Sequence, residues 1–390
     1  MGLILVLLFA ASMNLLSLHF YLIFLAFFLF AIKPNRRFRY DTSVGLLVFF
    51  ALAWGVFSPT AAESSVGIVR AFTYLLCYVM GVGLFDDRTE KNDESSPYKM
   101  FNVIIVTLAL GTLAHYLLNW SINFDAVERE TLDIWTGEEM AATGQAALAC
   151  FPLAISISML FTNQTKRVKI ASVITLVVIL LYNLVLAGRT LFLMVIILIA
   201  VALFHRMSIQ KRGRMRLLAI VIAIILLLVF VYQANLFNIK DVVESSPLYD
   251  RFFADDSTKE LDDDARMDRK LFYLANMDRS FFGGAHIREE VGYAHDVFLD
   301  TYDEAGIFAL VTIAGYLLLS AKRFVACIKD KTLPFAFKNT VLCVYTIVYL
   351  EFMIEPVLIG TQWLFCIFCI MDGYVGRILS HNRMINSKVR

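Results

Sequence analysis

Apolar runs of about 20 residues, separated by short charged segments, recur along the whole chain of 390 residues. A helix of about 20 apolar residues crosses the roughly 30 Å hydrocarbon layer of a bilayer. With 59% hydrophobic residues and a mean hydropathy of +0.69, the chain has too little polar sequence to cover a soluble globule. The pattern predicts an all-α polytopic membrane protein, with residues 1–390 forming a single integral membrane domain.

The apolar runs predict about twelve transmembrane helices. Residues 2–32 are too long for one untilted span, so we divide them near Ser17–His19 into two helices. The first run has no basic segment ahead of it and no clear cleavage site, which favours a retained helix over a signal peptide. The other predicted spans lie at about 43–58, 66–85, 100–119, 144–162, 170–187, 190–204, 217–236, 296–320, 339–356 and 361–378.

The charge of the connecting segments predicts the orientation. Residues 33–41 and four later connections or tails are basic, and the positive-inside rule assigns such segments to the cytoplasm. Both termini are then cytoplasmic, while the acidic loop 120–143 and the long loop 237–295 lie on the opposite side. The net charge of +1 gives no indication of a nucleic-acid partner, and six cysteines in or beside apolar runs imply no disulfide framework.

The long loop 237–295 carries a basic amphipathic pattern. Arg266, Arg269, Lys270 and Tyr273 follow one another at helical spacing, so they share one helix face. Three aspartates at 262–264 are typical of a helix N-terminus. We therefore expect a helix over the mouth of the bundle, with Arg266, Arg269 and Lys270 available to an anionic substrate.

Two further arginines interrupt apolar sequence. Arg189 follows Ala-Gly in a tight turn between two spans, and such a charge usually lines a polar cavity or meets an anion, although snorkelling to headgroups is an alternative. Arg70 lies near the outer end of the fourth span, where substrate binding and an ion pair with Glu351 or Glu355 are equally open. Those glutamates are four residues apart on one predicted helix face, which leaves a proton relay as another alternative.

His295 stands immediately before an apolar helix, where an imidazole titrating near neutral pH can accept a proton from a hydroxyl or hydrogen-bond a phosphate. An interfacial histidine without a chemical role is the alternative. His286 is interpreted as a surface residue. Gly283 and Gly284 are interpreted as a turn, with phosphate binding by their N–H groups as the alternative.

These residues resemble the superfamily of O-antigen ligases and O-antigen or exopolysaccharide polymerases, which are bacterial membrane glycosyltransferases. His295, Asp296, nine residues and then Gly306 to Ala309 resemble the family's last outer loop, with Glu304 where the family often has an acid. Arg189 resembles the arginine that opens a span in the family. Arg266 followed by Gly283 or Gly284 resembles its loop pattern, and the resemblance covers residues 140–310.

The resemblance implies a bundle of the GT-C kind that acts at the outer face of the bacterial cytoplasmic membrane. The donor would be an undecaprenyl-pyrophosphate-linked glycan, the acceptor another glycan or lipid A-core, and no metal or other cofactor would be needed. His295, Arg189 and Arg266 are the implied catalytic residues, and Arg70, Arg269, Lys270 and Glu304 the candidate substrate ligands. A flippase and a chain-length regulator are further implied partners.

This sequence departs from the family pattern at three points. Asp296 replaces the usual amide or hydroxyl, Ala309 replaces the last motif residue, and the tryptophan expected after the loop arginine is absent. The departures leave polymerase and ligase open, with polymerase preferred. A polysaccharide transporter or flippase and a non-enzymatic scaffold are the alternatives from other classes.

Overall fold

The computed structural model describes residues 1–32, 40–59, 65–89, 96–124, 130–186, 188–209, 260–389 and short stretches between 230 and 249. Most of them are helical. The first helices are α1 (Gly2–Ser12), α2 (His19–Ala31), α3 (Thr42–Phe57), α4 (Ser65–Thr89), α5 (Ser96–Ile122), α6 (Ala142–Phe161), α7 (Lys166–Val185) and α8 (Arg189–Ile209). The later helices are α9 (Ile239–Glu244), α10 (Glu260–Ala275), α11 (Arg288–Val291), α12 (Val297–Lys329), α13 (Phe335–Phe352) and α14 (Gln362–Val389).

The helices confirm a multi-pass membrane architecture at the level of length and composition. Within the described residues, seven helices are long and apolar enough to cross a bilayer, namely α5, α6, α7, α8, α12, α13 and α14. Helices α1 to α3 and the segment Val69–Phe85 are apolar but shorter. The total of about twelve spans stays a prediction, and most of the predicted span at 217–236 lies outside the described residues.

The division of residues 2–32 into two helices is confirmed. α1 ends at Ser12 and α2 begins at His19, and the two helices pack against each other. At 1.5 Å per residue each is only about 15–20 Å long, which is less than a full span. The turn between them holds Asn14, Leu16 and Ser17 at φ of 52°, 53° and 59°, a left-handed conformation that is strained for residues other than glycine.

Helices α4 and α14 pack at very short range. A Cβ atom at Gly81 would lie 2.0 Å from the carbonyl oxygen of Ile370, and one at Gly373 would lie 2.3 Å from that of Tyr78. Small residues allow such close backbone approach, which is how helices associate where lipid supplies no hydrophobic drive. The two glycines thus fix the register of the bundle centre.

A buried ion pair crosses the same bundle. Asp372 on α14 is fully buried and pairs with Arg323 on α12, while Ser320 Oγ and Tyr345 Oη donate to the same carboxylate at 2.8 and 2.7 Å. Arg323 also donates to Ser43 Oγ at 2.7 Å. Because several donors satisfy Asp372, the pair specifies how α12, α13, α14 and α3 meet.

One end of the bundle, which we call the site end, gathers the turns that precede or follow several helices. Trp135 Nε1 donates to the carbonyl of Met13 at 3.0 Å, and Lys270 Nζ donates to that of Met353 at 3.1 Å. The opposite end holds the connection between α12 and α13. The basic helix α10 lies at the site end, as the sequence predicts.

Three local features add to the expectations or correct them. The acidic loop 120–143 contains an antiparallel hairpin, β1 (Glu130–Leu132) with β2 (Glu139–Ala141), because Asn123 hydrogen-bonds both backbone groups of Leu132. Aspartates 262–264 lie in the first turns of α10, which begins at Glu260, so they stand at a helix N-terminus as predicted but do not cap it. The span predicted at 339–356 ends at Phe352, because a residue before proline disfavours helix and Pro356 follows closely.

Candidate functional site

His295 is held in a strained backbone conformation at the site end. Its φ is +55°, which is uncommon for a residue other than glycine. The Asp300 carboxylate accepts the N–H groups on both sides of it, from Ala294 at 2.8 Å and from Asp296 at 2.9 Å. This clamp fixes the imidazole direction, and strain of this kind clusters at functional positions.

Asp296 begins the helix that follows His295. Its Oδ1 accepts the N–H groups of Phe298 and Leu299 at 3.0 and 3.3 Å, so it is the N-cap of α12. Asparagine, serine and aspartate all cap helices in this way. The aspartate that departs from the family pattern therefore keeps the capping function that an amide or hydroxyl provides.

Glycines let the preceding loop cross α12 at very short range. Gly306 interrupts the helix at φ +75°, and a Cβ there would lie 2.6 Å from the carbonyl carbon of Phe282. Gly284 N donates to the Glu304 carbonyl at 3.3 Å, and Ile307 N donates to the Phe281 carbonyl at 3.0 Å. The turn interpretation of the glycine pair fits these contacts, since the N–H of Gly284 is engaged by protein.

His295 faces Glu355, which lies in the turn after α13. His295 Nδ1 is 3.9 Å from Glu355 Oε2, and the imidazole is 22% exposed. Burial, then the positive charges of Arg266, Arg269 and Lys270, lower the pKa of His295 to about 4. Burial, then the nearby Glu351 carboxyl, raise the pKa of Glu355 to about 8. At neutral pH the proton therefore resides on the carboxyl group and the imidazole is a free base.

Several buried polar atoms of this cluster have no hydrogen-bond partner among the described residues. They are His295 Nδ1, Glu355 Oε1, Glu351 Oε2 and Thr361 Oγ1. Glu351 is 1% exposed, and its other oxygen accepts from Cys150 Sγ on α6 at 3.0 Å. Buried polar groups are normally paired, so a group of this size indicates a place built to meet a polar ligand.

The basic face of α10 borders the cluster. Arg266, Arg269 and Lys270 are half-buried and act electrostatically on His295, whereas Tyr273 is buried and donates to the Gly292 carbonyl at 2.9 Å. Lys270 also lies 3.5 Å from Asp296. The structure thus brings three of the predicted basic residues to the predicted histidine.

Glu304 has a different environment. Its side chain is fully buried, with Oε2 2.6 Å from Arg288 and Oε1 accepting from Ser58 Oγ at 2.5 Å. Both carboxylate oxygens are therefore engaged by protein. Its assignment as a substrate ligand stays a prediction, while the contacts themselves join the loop 276–296 to α3.

Arg189 begins α8 at the same level of the bundle. His205 Nδ1 on α8 is 3.3 Å from Asn339 Oδ1 on the antiparallel α13. Arg189 is sixteen residues before His205, about 24 Å along α8. Phe352, the last residue of α13, is thirteen residues after Asn339, about 20 Å along that helix, so the start of α8 and the end of α13 lie at the same end of the bundle. Gly188 permits the tight turn ahead of Arg189, because a Cβ there would lie 2.2 Å from Asn183 Oδ1.

Arg70 lies elsewhere at this end. Its guanidinium is 5.6 Å from the ring centroid of Phe20, and it makes no ion pair with Glu351 or Glu355 among the described residues. The expected alternative of an ion pair is therefore wrong, because α4 carries Arg70 towards α2. His286 is exposed, as predicted.

Sequence reasoning missed Asp300 and Asp303. Asp303 accepts from Ser280 Oγ, Ile287 N and Arg288 N, so it fixes the loop before His295. Asp296, Asp300, Asp303 and Glu304 are spaced to lie along one helix face, and acids along a face at the start of a membrane span are a signal in themselves.

Comparison with protein-family models finds no match for this chain, and comparison with curated proteins finds no similar one. The site therefore stands on its own geometry, beside the motif resemblance described above.

Proposed function

We propose that this protein is a metal-independent membrane glycosyltransferase that uses a lipid-pyrophosphate-linked sugar donor at the outer face of a bacterial cytoplasmic membrane. The observation that carries the proposal is the clamped, unprotonated His295 beside the basic face of α10. The resemblance to O-antigen polymerases and ligases supports the same reaction. A polymerase, which joins one lipid-linked glycan to another, is the preferred form.

In the proposed reaction, His295 accepts the proton of an acceptor hydroxyl as that oxygen bonds to the anomeric carbon of the donor sugar. The bond from that carbon to the lipid pyrophosphate breaks, and the pyrophosphate leaves with the electron pair. Because the His295 imidazole is unprotonated at neutral pH it is free to accept this proton, while its lowered pKa makes it a weaker base than an ordinary imidazole. Protonated Glu355 adds no negative charge to the site, which favours the departure of the anionic pyrophosphate.

Arg266, Arg269 and Arg189 are proposed to stabilise the charge that develops on the pyrophosphate. Guanidinium groups bind phosphate oxygens through paired hydrogen bonds, and preorganised cations lower the barrier most when they face the forming charge. Arg266 and Arg269 already act on His295, and Arg189 begins α8 at the site end of the bundle. Lys270 is proposed to position Asp296 and the turn after α13.

The test is transfer of a radiolabelled glycan by purified, full-length protein reconstituted with a lipid-pyrophosphate-linked substrate. We expect His295→Ala, Arg189→Ala and Arg266→Ala each to reduce transfer by at least about a hundredfold, since general-base removal alone typically costs this much. His286→Ala and Arg279→Ala are matched controls on exposed positions of the same loop. Wild-type glycan ladders in His295→Ala and Arg189→Ala would refute the site.

Gene deletion separates the polymerase from the ligase. Loss of a polymerase leaves single repeats on the surface carrier, whereas loss of a ligase leaves long chains on the lipid pyrophosphate. The two outcomes differ in glycan length, so one gel of the lipid-linked fraction distinguishes them.

Transport is a second candidate because Glu351 is a buried acid within a membrane helix, with Oε2 unpartnered among the described residues. Ionisable residues in such positions often form part of substrate or proton pathways. Flux of a lipid-linked glycan across liposomes, without glycan transfer and lost in Glu351→Gln, would favour the transporter over the glycosyltransferase.

A further inference from the structure

A second polar cluster lies at the site end, between α2, α4, α5 and the β1–β2 hairpin. It contains His115, Asp133, His19 and Arg70. None of these residues contributes to the electrostatic environment of His295, which comes from α10. The cluster is therefore separate from the site described above.

His115 and Asp133 form its best ordered part. His115 Nε2 is 2.6 Å from Asp133 Oδ2, and the two residues are 1% and 4% exposed. Burial raises the pKa of Asp133, but hydrogen bonds from His115, Trp135 and Thr136 outweigh it and lower the pKa to about 2. The ionised carboxylate fixes Nε2 as the donor. The other ring nitrogen of His115, Nδ1, is buried and has no hydrogen-bond partner among the described residues.

His19 and Arg70 bring two more nitrogen atoms to the same place. Arg70 and His115 are the neighbours that act electrostatically on His19. The ring centroid of Phe20 lies 3.9 Å from that of His19 and 5.6 Å from the Arg70 guanidinium carbon. His19 Nε2 and Arg70 Nε are also buried without partners among the described residues. Three buried nitrogen atoms thus lie on residues within electrostatic range of one another, and among the described residues the one carboxylate paired with any of the three side chains is Asp133.

The strained turn before α2 holds this arrangement in place. His19 Nδ1 lies 2.7 Å from Asn14 Oδ1, and Trp135 Nε1 donates to the Met13 carbonyl. Below the turn, the outward face of α2 is apolar and exposed, at Tyr21, Leu25 and Phe28. A polar cluster at the top of an exposed apolar helix face has the layout that a phosphate headgroup with an acyl chain requires.

We propose that His19, Arg70 and His115 bind the phosphate group of a membrane lipid, at a site separate from that of His295. Arg70 supplies a permanent cation to the phosphate oxygens, and an open ring nitrogen of His19 or His115 accepts from a protonated phosphate oxygen.

Native mass spectrometry of the full-length, delipidated protein in detergent tests the proposal with two lipids that differ only in the phosphate, phosphatidic acid and diacylglycerol. We expect phosphatidic acid to bind at least about tenfold more tightly than diacylglycerol, and Arg70→Gln and His115→Gln each to remove most of that difference. Arg377→Gln is the matched control, because Arg377 lies 5.6 Å from the Phe85 ring at the other end of the bundle. His295→Ala is expected to bind phosphatidic acid as the wild type does.

Two added measurements make the outcome decisive. Thermal unfolding without lipid checks that the variants are folded, and His19→Gln replaces His115→Gln if the latter unfolds. Inorganic pyrophosphate identifies the source of the phosphate. If it displaces phosphatidic acid, the site accepts a free anion, and if it does not, the site requires a lipid headgroup. Equal binding of the two lipids, or undiminished phosphatidic acid binding in folded Arg70→Gln and His19→Gln, would overturn the proposal.

Discussion

At the scale of single residues, the unusual feature is the order of protonation in the pair His295 and Glu355. An isolated imidazole holds its proton to higher pH than a carboxyl group does. Here burial and the cations of α10 lower the pKa of the imidazole to about 4, while burial and Glu351 raise the pKa of Glu355 to about 8. The pair therefore holds one proton, on Glu355, over the range in which the proposed reaction runs.

This order predicts a broad, bell-shaped pH profile for kcat/KM of glycan transfer. Activity should rise as His295 loses its proton near pH 4, well below the ordinary imidazole value, and fall as Glu355 ionises near pH 8. Glu355→Gln, which cannot ionise, should lose the alkaline decline but keep the acidic rise. As a control, Glu289→Gln changes an exposed acid in the loop 276–296 that precedes His295, and it should leave the pH profile unchanged. An acidic limb near pH 6.5 would contradict the assignment.

At the scale of elements, the crossing of the loop 281–285 over α12 positions everything that follows. Gly306 and Gly283 have φ of +75° and +87°, and a Cβ on either would lie under 3 Å from backbone atoms of the other segment. No side chain can move aside to relieve such a contact, since both neighbours are backbone. The start of α12, with His295 just before it and Asp300 in its first turn, is thereby held against the loop 281–285.

Substitutions at Gly306 and Gly292 distinguish two effects of adding a Cβ atom, a steric clash with neighbouring atoms and the strain of a positive φ. Gly306→Ala adds both, whereas Gly292→Ala at φ +77° adds only strain, because nothing lies within 4 Å of its Cβ position. We expect Gly292→Ala to cost about 1–2 kcal/mol of unfolding free energy and Gly306→Ala clearly more. Thermal unfolding of both purified variants in the same detergent measures the difference, and equal midpoints would show that the loop yields at the crossing.

Sequence periodicity predicted the helices well and the contacts between their ends poorly. The splitting of residues 2–32, the amphipathic α10 and the clustering of its basic face with His295 follow from local patterns. The clamp by Asp300 and the pair of His295 with Glu355 depend on where distant helix ends meet. Pro356 ends α13 early enough to turn Glu355 back towards His295, and no local pattern specifies that meeting.

At the scale of the whole molecule, the site end collects both polar clusters, and charge patterning predicts that this end lies outside the cytoplasm. The described cysteines are all buried, so a cysteine introduced at the surface should dominate labelling of folded protein. Leu16→Cys at the site end should react with a membrane-impermeant maleimide on intact cells, and Lys331→Cys at the opposite end only after lysis. Reversed accessibility would invert the predicted orientation and remove the proposed outer-face reaction.

The ion pair of Arg323 with Asp372 has a consequence for biogenesis. The two charges reside on α12 and α14, which are separated in the chain by all of α13, so Arg323 enters the membrane region before its partner has been synthesised. Arg323 lies near the end of α12 that is opposite the site end, and a charge packed into the bundle without its partner is destabilising. We therefore expect helices α12 to α14 to be released from the translocation machinery into the bilayer together. A chain truncated before Asp372 would keep Arg323 unpaired, and we expect the cell to degrade it.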